Sequence, residues 1–271
     1  MKSWPAPAKL NLFLHIVGRR ADGYHLLQTV FQFLDFCDTL RFEVTADPRI
    51  RRAADLPGVP EDADLTVRAA RLLQQTAGTS RGAVIHLDKR IPVGGGLGGG
   101  SSDAATTLLA LNDLWGAGLP RARLAELALR LGADVPVFVH GQAAWAEGVG
   151  EVLTPVDLPE PWYVVLVPPV QVATASVFQD PQLTRDTAAI TIRDFFAGRG
   201  RNDLEPVVRR AYPEVNRAFG WLSRYGRARM TGSGACVFLE VADQAAGMAV
   251  LSQAPAPLTG FVARGMNRHP L

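Results

Sequence analysis

Six of the seven residues from Gly94 to Gly100 are glycine, within the run Pro92-Val93-Gly94-Gly95-Gly96-Leu97-Gly98-Gly99-Gly100-Ser101-Ser102-Asp103. Glycine loses more conformational entropy on folding than any other residue, so this density needs a reason beyond flexibility. The run follows an apolar segment at 83–87 and opens a helical pattern, so it sits inside one structural unit and does not link two. Without side chains, successive N–H groups can turn toward one anion, and the helix start behind them adds partial positive charge. The chemistry predicted here is phosphate binding.

The kind of phosphate loop is narrowed by its surroundings. Gly94, Gly96 and Gly99 satisfy GxGxxG, but a dinucleotide fold needs a further strand ending in an acid after the helix. A second helical pattern follows instead, and the nearest later acid, Asp113, lies within the first helix. A P-loop needs Lys after its last glycine, where Ser101 stands. The protein-kinase loop is missing its valine and its downstream His-Arg-Asp and Asp-Phe-Gly signatures. A nucleotide loop of another class remains.

Composition sets outer limits. Lys and Arg number 28 against 26 Asp and Glu, a formal charge of +2, and no basic block exceeds a pair. That argues against a nucleic-acid partner and leaves small anions open. Cys37 and Cys236 lie far apart, and the five histidines show no metal-ligand spacing. The expected setting is a reducing cytoplasm, without a disulfide or zinc framework. The uncharged stretch 161–179 is broken by Pro168-Pro169, so no membrane span is predicted.

The elements that must position this chemistry follow from periodicity. Alternation and apolar runs predict strands at 9–17, 39–45 and 83–87, with turn chemistry at Arg20-Ala21-Asp22-Gly23. Helical spacing covers 65–76, 102–115 and 120–131; Ser101, Ser102 and Asp103 are available to cap the second of these, and Pro120 opens the third. Three prolines between 155 and 161 mark a boundary. Beyond it come a strand at 162–167, helices at 203–210 and 215–225, strands at 228–230 and 237–241, a helix at 242–252 and a strand at 261–264. Strand, helix, strand, strand, helix, strand is the ferredoxin-like split order.

Three segments together resemble a known family. Pro7-Ala8-Lys9-Leu10-Asn11-Leu12, the glycine run through Ala105, and Thr231-Gly232-Ser233-Gly234-Ala235-Cys236 are similar to the three motifs of the GHMP kinases, in the same order. The resemblance implies an α+β, two-domain GHMP kinase fold. Residues 1–158 would form a ribosomal-S5-domain-2-like N-terminal domain and 159–271 a ferredoxin-like C-terminal domain, with the active site between them. Arg20-Ala21-Asp22-Gly23-Tyr24-His25 and Gly132-Ala133-Asp134-Val135-Pro136 resemble the members that phosphorylate the 2-hydroxyl of a cytidine-diphosphate-linked methylerythritol in the non-mevalonate isoprenoid route. Another small-alcohol kinase of the family, for homoserine or mevalonate, is the alternative; it shares the loop but not obviously Asp-Gly-Tyr-His. ATP is the implied co-substrate, Mg2+ is expected with it, and no metal ligand is assigned. A monomer or weak homodimer is expected.

The resemblance also implies roles. Asp134 is the candidate base and Lys9 the candidate cation of catalysis. Without the resemblance, Asp134 reads equally as a helix-end carboxylate, in a setting made apolar by Leu131, Val135, Val137 and Phe138. Lys9 stands out because only Lys2, Lys9 and Lys89 among the basic residues are not Arg. Pro92, Val93, Gly94 to Gly100, Ser101 and Ser102 would bind the ATP phosphates, and Leu65 would line the adenine pocket. Asp64 stands where the family has Asn, which questions a polar adenine contact there. Asn11 would reach the methylerythritol hydroxyls and Thr174 the sugar alcohol. Tyr24, His25, Phe31 and Phe178 would bind cytidine by stacking and edge recognition; Phe31 alone also reads as core.

Overall fold

The computed structural model describes all residues, 1–271. In chain order the elements are β1 (Trp4–Arg19), β2 (His25–Thr45), β3 (Ile50–Arg52), α1 (Leu65–Ala77), β4 (Gly82–Asp88), α2 (Gly99–Leu114), α3 (Arg121–Leu131), α4 (Val135–His140), β5 (Ala144–Glu147) and β6 (Val152–Pro155). They continue as β7 (Trp162–Val167), α5 (Thr174–Gln179), α6 (Ile192–Phe196), α7 (Glu205–Ala211), α8 (Pro213–Leu222), β8 (Arg229–Met230), β9 (Val237–Val241), α9 (Gln244–Leu251) and β10 (Thr259–Met266).

Apolar residues at even positions from Trp4 to Ile16 give β1 its period of two and put Lys9 and Asn11 together on the other face. The strand starts earlier than predicted. Pro5 and Pro7 are accommodated at its beginning, where the pairing with β2 shifts register between Pro7 and Lys9. β2 runs far beyond the predicted 39–45, because residues 28–34 are buried continuously and show no alternation. This long strand is the spine of the fold, pairing with β1, β4, β5 and β10.

The sheet has ten strands, and its main path is β3-β4-β2-β10-β7-β9-β8. The second half contributes β8-β9-β7-β10, all antiparallel, with α9 between β9 and β10. This is the split order expected from sequence, with four helices inserted between its first two strands. α1 to α4 cover one face of the first half around a core that includes Phe33, Leu73, Leu108 and Phe138. A separate core joins the halves, from Leu10 and Leu97 to Tyr163, Cys236 and Phe238.

β10 crosses back to β2 through Gly265 and Met266, and the tail docks on the first half. His269 N donates to Gly141 O at 3.0 Å, and its ring lies edge-on to Phe33 at 5.7 Å. Burial, with Arg121 nearby, pushes the His269 imidazole down to about 4. Its folded value lies below the ordinary one of 6.5, so the unfolded chain takes the proton first as pH falls. The stability contributed is therefore complete above about pH 6.5 and is lost toward pH 4, on the order of 3 kcal/mol. Urea unfolding at both ends of that window should show a smaller acid loss in His269→Leu than in the unsubstituted protein; equal losses would contradict this.

Candidate active site

Lys9 is the best-buried cation of the chain, 2% exposed, at the wall of a cleft of about 1260 Å³. Its Nζ donates to Asn11 Oδ1 at 2.5 Å and to Gly96 O at 3.1 Å, and lies 3.0 Å from Asp134 Oδ2. The Phe31 ring lies beneath it, 5.4 Å from Nζ to centroid. Asn11 is fixed in turn: its Nδ2 donates to Thr29 Oγ1 at 2.9 Å, and its backbone N–H donates to Thr231 Oγ1 at 3.0 Å. Thr231 also donates to Gly96 O at 3.2 Å. The first and third glycine-associated motifs thus meet at one carbonyl of the second.

That meeting explains the loop. Gly95 O accepts from Cys236 N, Gly96 O from Lys9 and Thr231, and Leu97 O from Lys9 N. The carbonyls are spent on the protein side, whereas the amides from Gly94 to Ser101 donate no backbone hydrogen bond. Alternating positive φ at Gly94, Gly96 and Gly98 (73°, 75° and 70°) permits this arrangement. α2 begins at Gly99, three residues earlier than predicted. Its N-cap is Gly98 and no side chain caps it, so the expected capping by Ser101, Ser102 or Asp103 does not occur. The free first-turn amides and the helix dipole face an anion site.

Asp134 precedes α4, a helix the sequence pattern did not reveal, and makes no cap bond to it. The apolar neighbours Val135, Val137 and Phe138 point into the core. The carboxylate itself is 37% exposed and opens on the cleft, which corrects the expected apolar setting. Its Oδ2 faces Lys9 and its Oδ1 is unengaged. A carboxylate with one free oxygen can take a proton from a hydroxyl, and the cation beside it can hold the charge that results.

The other predicted residues divide. Pro92, Val93, Gly94 to Gly100, Ser101 and Leu65 line the cleft, as do Tyr24, His25, Thr174 and Phe178. Tyr24 is 65% exposed beside Gly23, and the His25 and Phe178 rings lie 5.0 Å apart. Thr174 Oγ1 and Ser233 Oγ are 2.7 Å apart. Ser102 does not reach the cleft; its hydroxyl is fully buried and unpartnered. Phe31 also lines the cleft, but it is 1% exposed and packed in the core beneath Lys9, which leaves little of its face open to a base. Asp64 is spent: Oδ1 accepts from Thr66 N and Oγ1, and Oδ2 pairs with Arg52 at 3.0 Å. It caps α1 and has nothing left for a base. Thr29, Thr231, Lys89 and Arg185 join the site without having been singled out as site residues. Only Thr231 carried a signal, as part of its motif.

Lys89 lies beside the loop, donating to Asp38 at 2.5 Å and Asp103 at 2.7 Å. Burial dominates over Lys89 and raises the Asp103 carboxyl to about 8. Asp38 also accepts from Arg90 N and Ile91 N, which anchors the chain entering the loop.

Comparison with known proteins bears on this geometry. Residues 64–142 match the GHMP kinases N terminal domain and residues 188–259 the GHMP kinases C terminal domain. The chain is 63% identical over 270 residues to a 4-diphosphocytidyl-2-C-methyl-D-erythritol kinase of Thiobacillus denitrificans, covering 100% of this chain and 97% of that protein. It is 59% identical over 265 residues to one of Pseudomonas paraeruginosa, covering 98% and 94%. A crystal structure of 4-(cytidine 5'-diphospho)-2C-methyl-D-erythritol kinase superposes with TM-score 0.84 at 33% identity, over 97% of this chain and 99% of that one. A mevalonate kinase structure shares the fold at TM-score 0.70 and 16% identity, over 99% and 100%.

Two glycines of the loop should respond differently to alanine. A Cβ on Gly98 would lie 2.9 Å from Lys9 Cε, 3.0 Å from Lys9 Cγ and 3.1 Å from Phe138 Cζ, at a φ of +70°. The obstruction is to Lys9 itself, before any phosphate is considered. On Gly100 the nearest atom is Leu65 Cδ1 at 3.6 Å, within a helix. Gly98→Ala is expected to destabilise by about 1–2 kcal/mol and lower turnover at least tenfold, whereas Gly100→Ala keeps stability within about 1 kcal/mol. Denaturant melts and rates on both variants check this, and normal turnover in Gly98→Ala would contradict it.

Proposed function

The chain belongs to the 4-diphosphocytidyl-2-C-methyl-D-erythritol kinases of the GHMP kinase family, and on that premise we propose how its residues divide the reaction. The reaction transfers the γ-phosphoryl group of ATP to the 2-hydroxyl of 4-diphosphocytidyl-2-C-methyl-D-erythritol, within isoprenoid precursor synthesis. One observation carries the assignment of roles: a single cleft contains an amide-rich phosphate loop, the exposed Tyr24 and half-buried Phe178 beside His25, and the Lys9–Asp134 pair.

The loop amides and first turn of α2 hold the triphosphate, and Leu65, next to Gly100, packs against the adenine. Tyr24 and Phe178 stack on the cytosine, with His25 at its edge. Asp134 accepts the hydroxyl proton through its open oxygen as the oxygen attacks phosphorus in line. Lys9 orients Asp134, and its ammonium steadies charge on the transferring group. Asn11 holds Lys9 in place and has one amide N–H left for a substrate hydroxyl. Thr174 and Ser233, bonded to each other, border the sugar alcohol.

Mg2+ fits as an ion carried by the triphosphate. No group of three or more acidic, His or Cys side chains could hold a metal, but the Ser101 hydroxyl is a hard donor on the cleft. When bound, the ion neutralises phosphate charge. The two free cysteines support a cytoplasmic setting. No helix is long and apolar enough to cross a membrane. We place the domain division between β6 and β7, at 158/159.

Asp134→Asn preserves shape and removes the proton acceptor. Its kcat should fall by about 10²–10⁴-fold while both substrates still bind; near-normal turnover would remove the base assignment. Tyr24→Ala or Phe178→Ala should raise KM for the cytidine substrate about tenfold and leave KM for ATP within about twofold. Steady-state kinetics with each substrate varied decides between these and equal losses, which would contradict the stacking assignment.

A further inference from the structure

Arg185 lies on the cleft in the segment between α5 and α6, outside every motif. Its Nε donates to His25 Nε2 at 3.2 Å, Nη1 to Leu183 O at 3.1 Å, and Nη2 to Phe178 O at 2.8 Å and Asp180 O at 2.9 Å. One planar guanidinium therefore joins the start of β2 to the end of α5, from which Phe178 projects. We infer that Arg185 is a positioning residue for the cytidine subsite, setting the His25 tautomer and holding the His25 and Phe178 rings in register. The inference rests on the assignment of those two rings to cytidine.

The tautomer follows from donor chemistry. Arginine has no acceptor, so His25 Nε2 must offer its lone pair and the imidazole proton sits on Nδ1. Nδ1 makes no hydrogen bond within the chain and is the nitrogen left for a ligand. A fixed donor suits an acceptor on the base edge. Cytosine offers one at N3, where uracil carries a proton. The charged groups acting on His25 are both cations, Arg185 and Arg19, the latter paired with it across β1 and β2; Asp22 in the intervening turn is taken by Arg20. With burial as the larger cause, they hold the imidazole below its ordinary value. A lysine could offer neither the fork nor the plane that reaches four acceptors.

The test combines histidine nitrogen-15 spectra with calorimetric binding of the cytidine-diphosphate-linked substrate without ATP. In the unsubstituted protein at pH 8, His25 should carry its proton on Nδ1; a proton on Nε2 overturns the inference without any variant. In Arg185→Met, His25 should become a mixture of tautomers and titrate closer to the ordinary histidine value. Substrate Kd should rise about tenfold at pH 8 and partly recover at pH 6, where both nitrogens donate, while ATP binding is unchanged. Unaltered His25 spectra in the variant overturn the coupling. Altered spectra with unaltered substrate affinity overturn the cytidine assignment of His25, and Arg185 is then a structural clasp only.

Discussion

An ammonium that is 2% exposed must be surrounded by oxygen, and meeting that demand for Lys9 organises the centre of this fold. The oxygens come from three places distant in sequence: Asn11 two residues along β1, Gly96 in the glycine loop, and Asp134 before α4. None of these segments can move without unsatisfying a buried charge. Removing one partner of such a group generally costs several kcal/mol, so the cation fixes the relative placement of strand, loop and helix. The same demand keeps Asp134 near Lys9 although its neighbours turn into the core.

The glycine loop takes its form from this. It must bring carbonyls to Lys9 and Thr231 while leaving its amides free, which requires backbone turns that side chains would block. On Gly96 a Cβ would stand 2.3 Å from Thr231 O, and on Gly98 2.9 Å from Lys9 Cε. The glycines are thus demanded as much by the protein behind the loop as by a phosphate in front of it. Thr231 and Cys236, at the two ends of the third motif, bind the carbonyls of Gly96 and Gly95. This joins the second half of the chain to the catalytic strand through hydrogen bonds of 3.1 and 3.2 Å and an apolar core. Such a junction favours a fixed cleft over two freely hinged bodies.

Much of this was legible in the sequence where chemistry or period leaves a mark. The alternation of 39–45 in β2, the helical face of α1 and the split strand order of the second half read directly. The first two motifs located Lys9 and the loop, and the separate segment Gly132-Ala133-Asp134-Val135-Pro136 located Asp134. β2 was read only at its end, because residues 28–34 are buried on both faces and lose the alternation that marks a half-covered strand. α4 was missed because Val-Pro-Val-Phe-Val-His is short, β-branched and buried almost throughout. Ser102, assigned to the loop by the resemblance, turns inward, because residue type and spacing do not say which way a side chain faces. Arg185 carried no signal at all. Its role comes from tertiary placement beside His25, some 160 residues away along the chain.

If the buried ammonium governs the chemistry through Asp134, the two residues act as a unit and their losses cannot be independent. Single-turnover phosphoryl transfer with both substrates saturating, in Lys9→Met, Asp134→Asn and the double variant, measures this most directly. The account predicts that each single change slows transfer by about 10²–10⁴-fold, and that the double variant falls no more than about tenfold below the slower single one. A double variant whose loss equals the product of the two single losses would show that Lys9 and Asp134 contribute separately, contradicting the arrangement described.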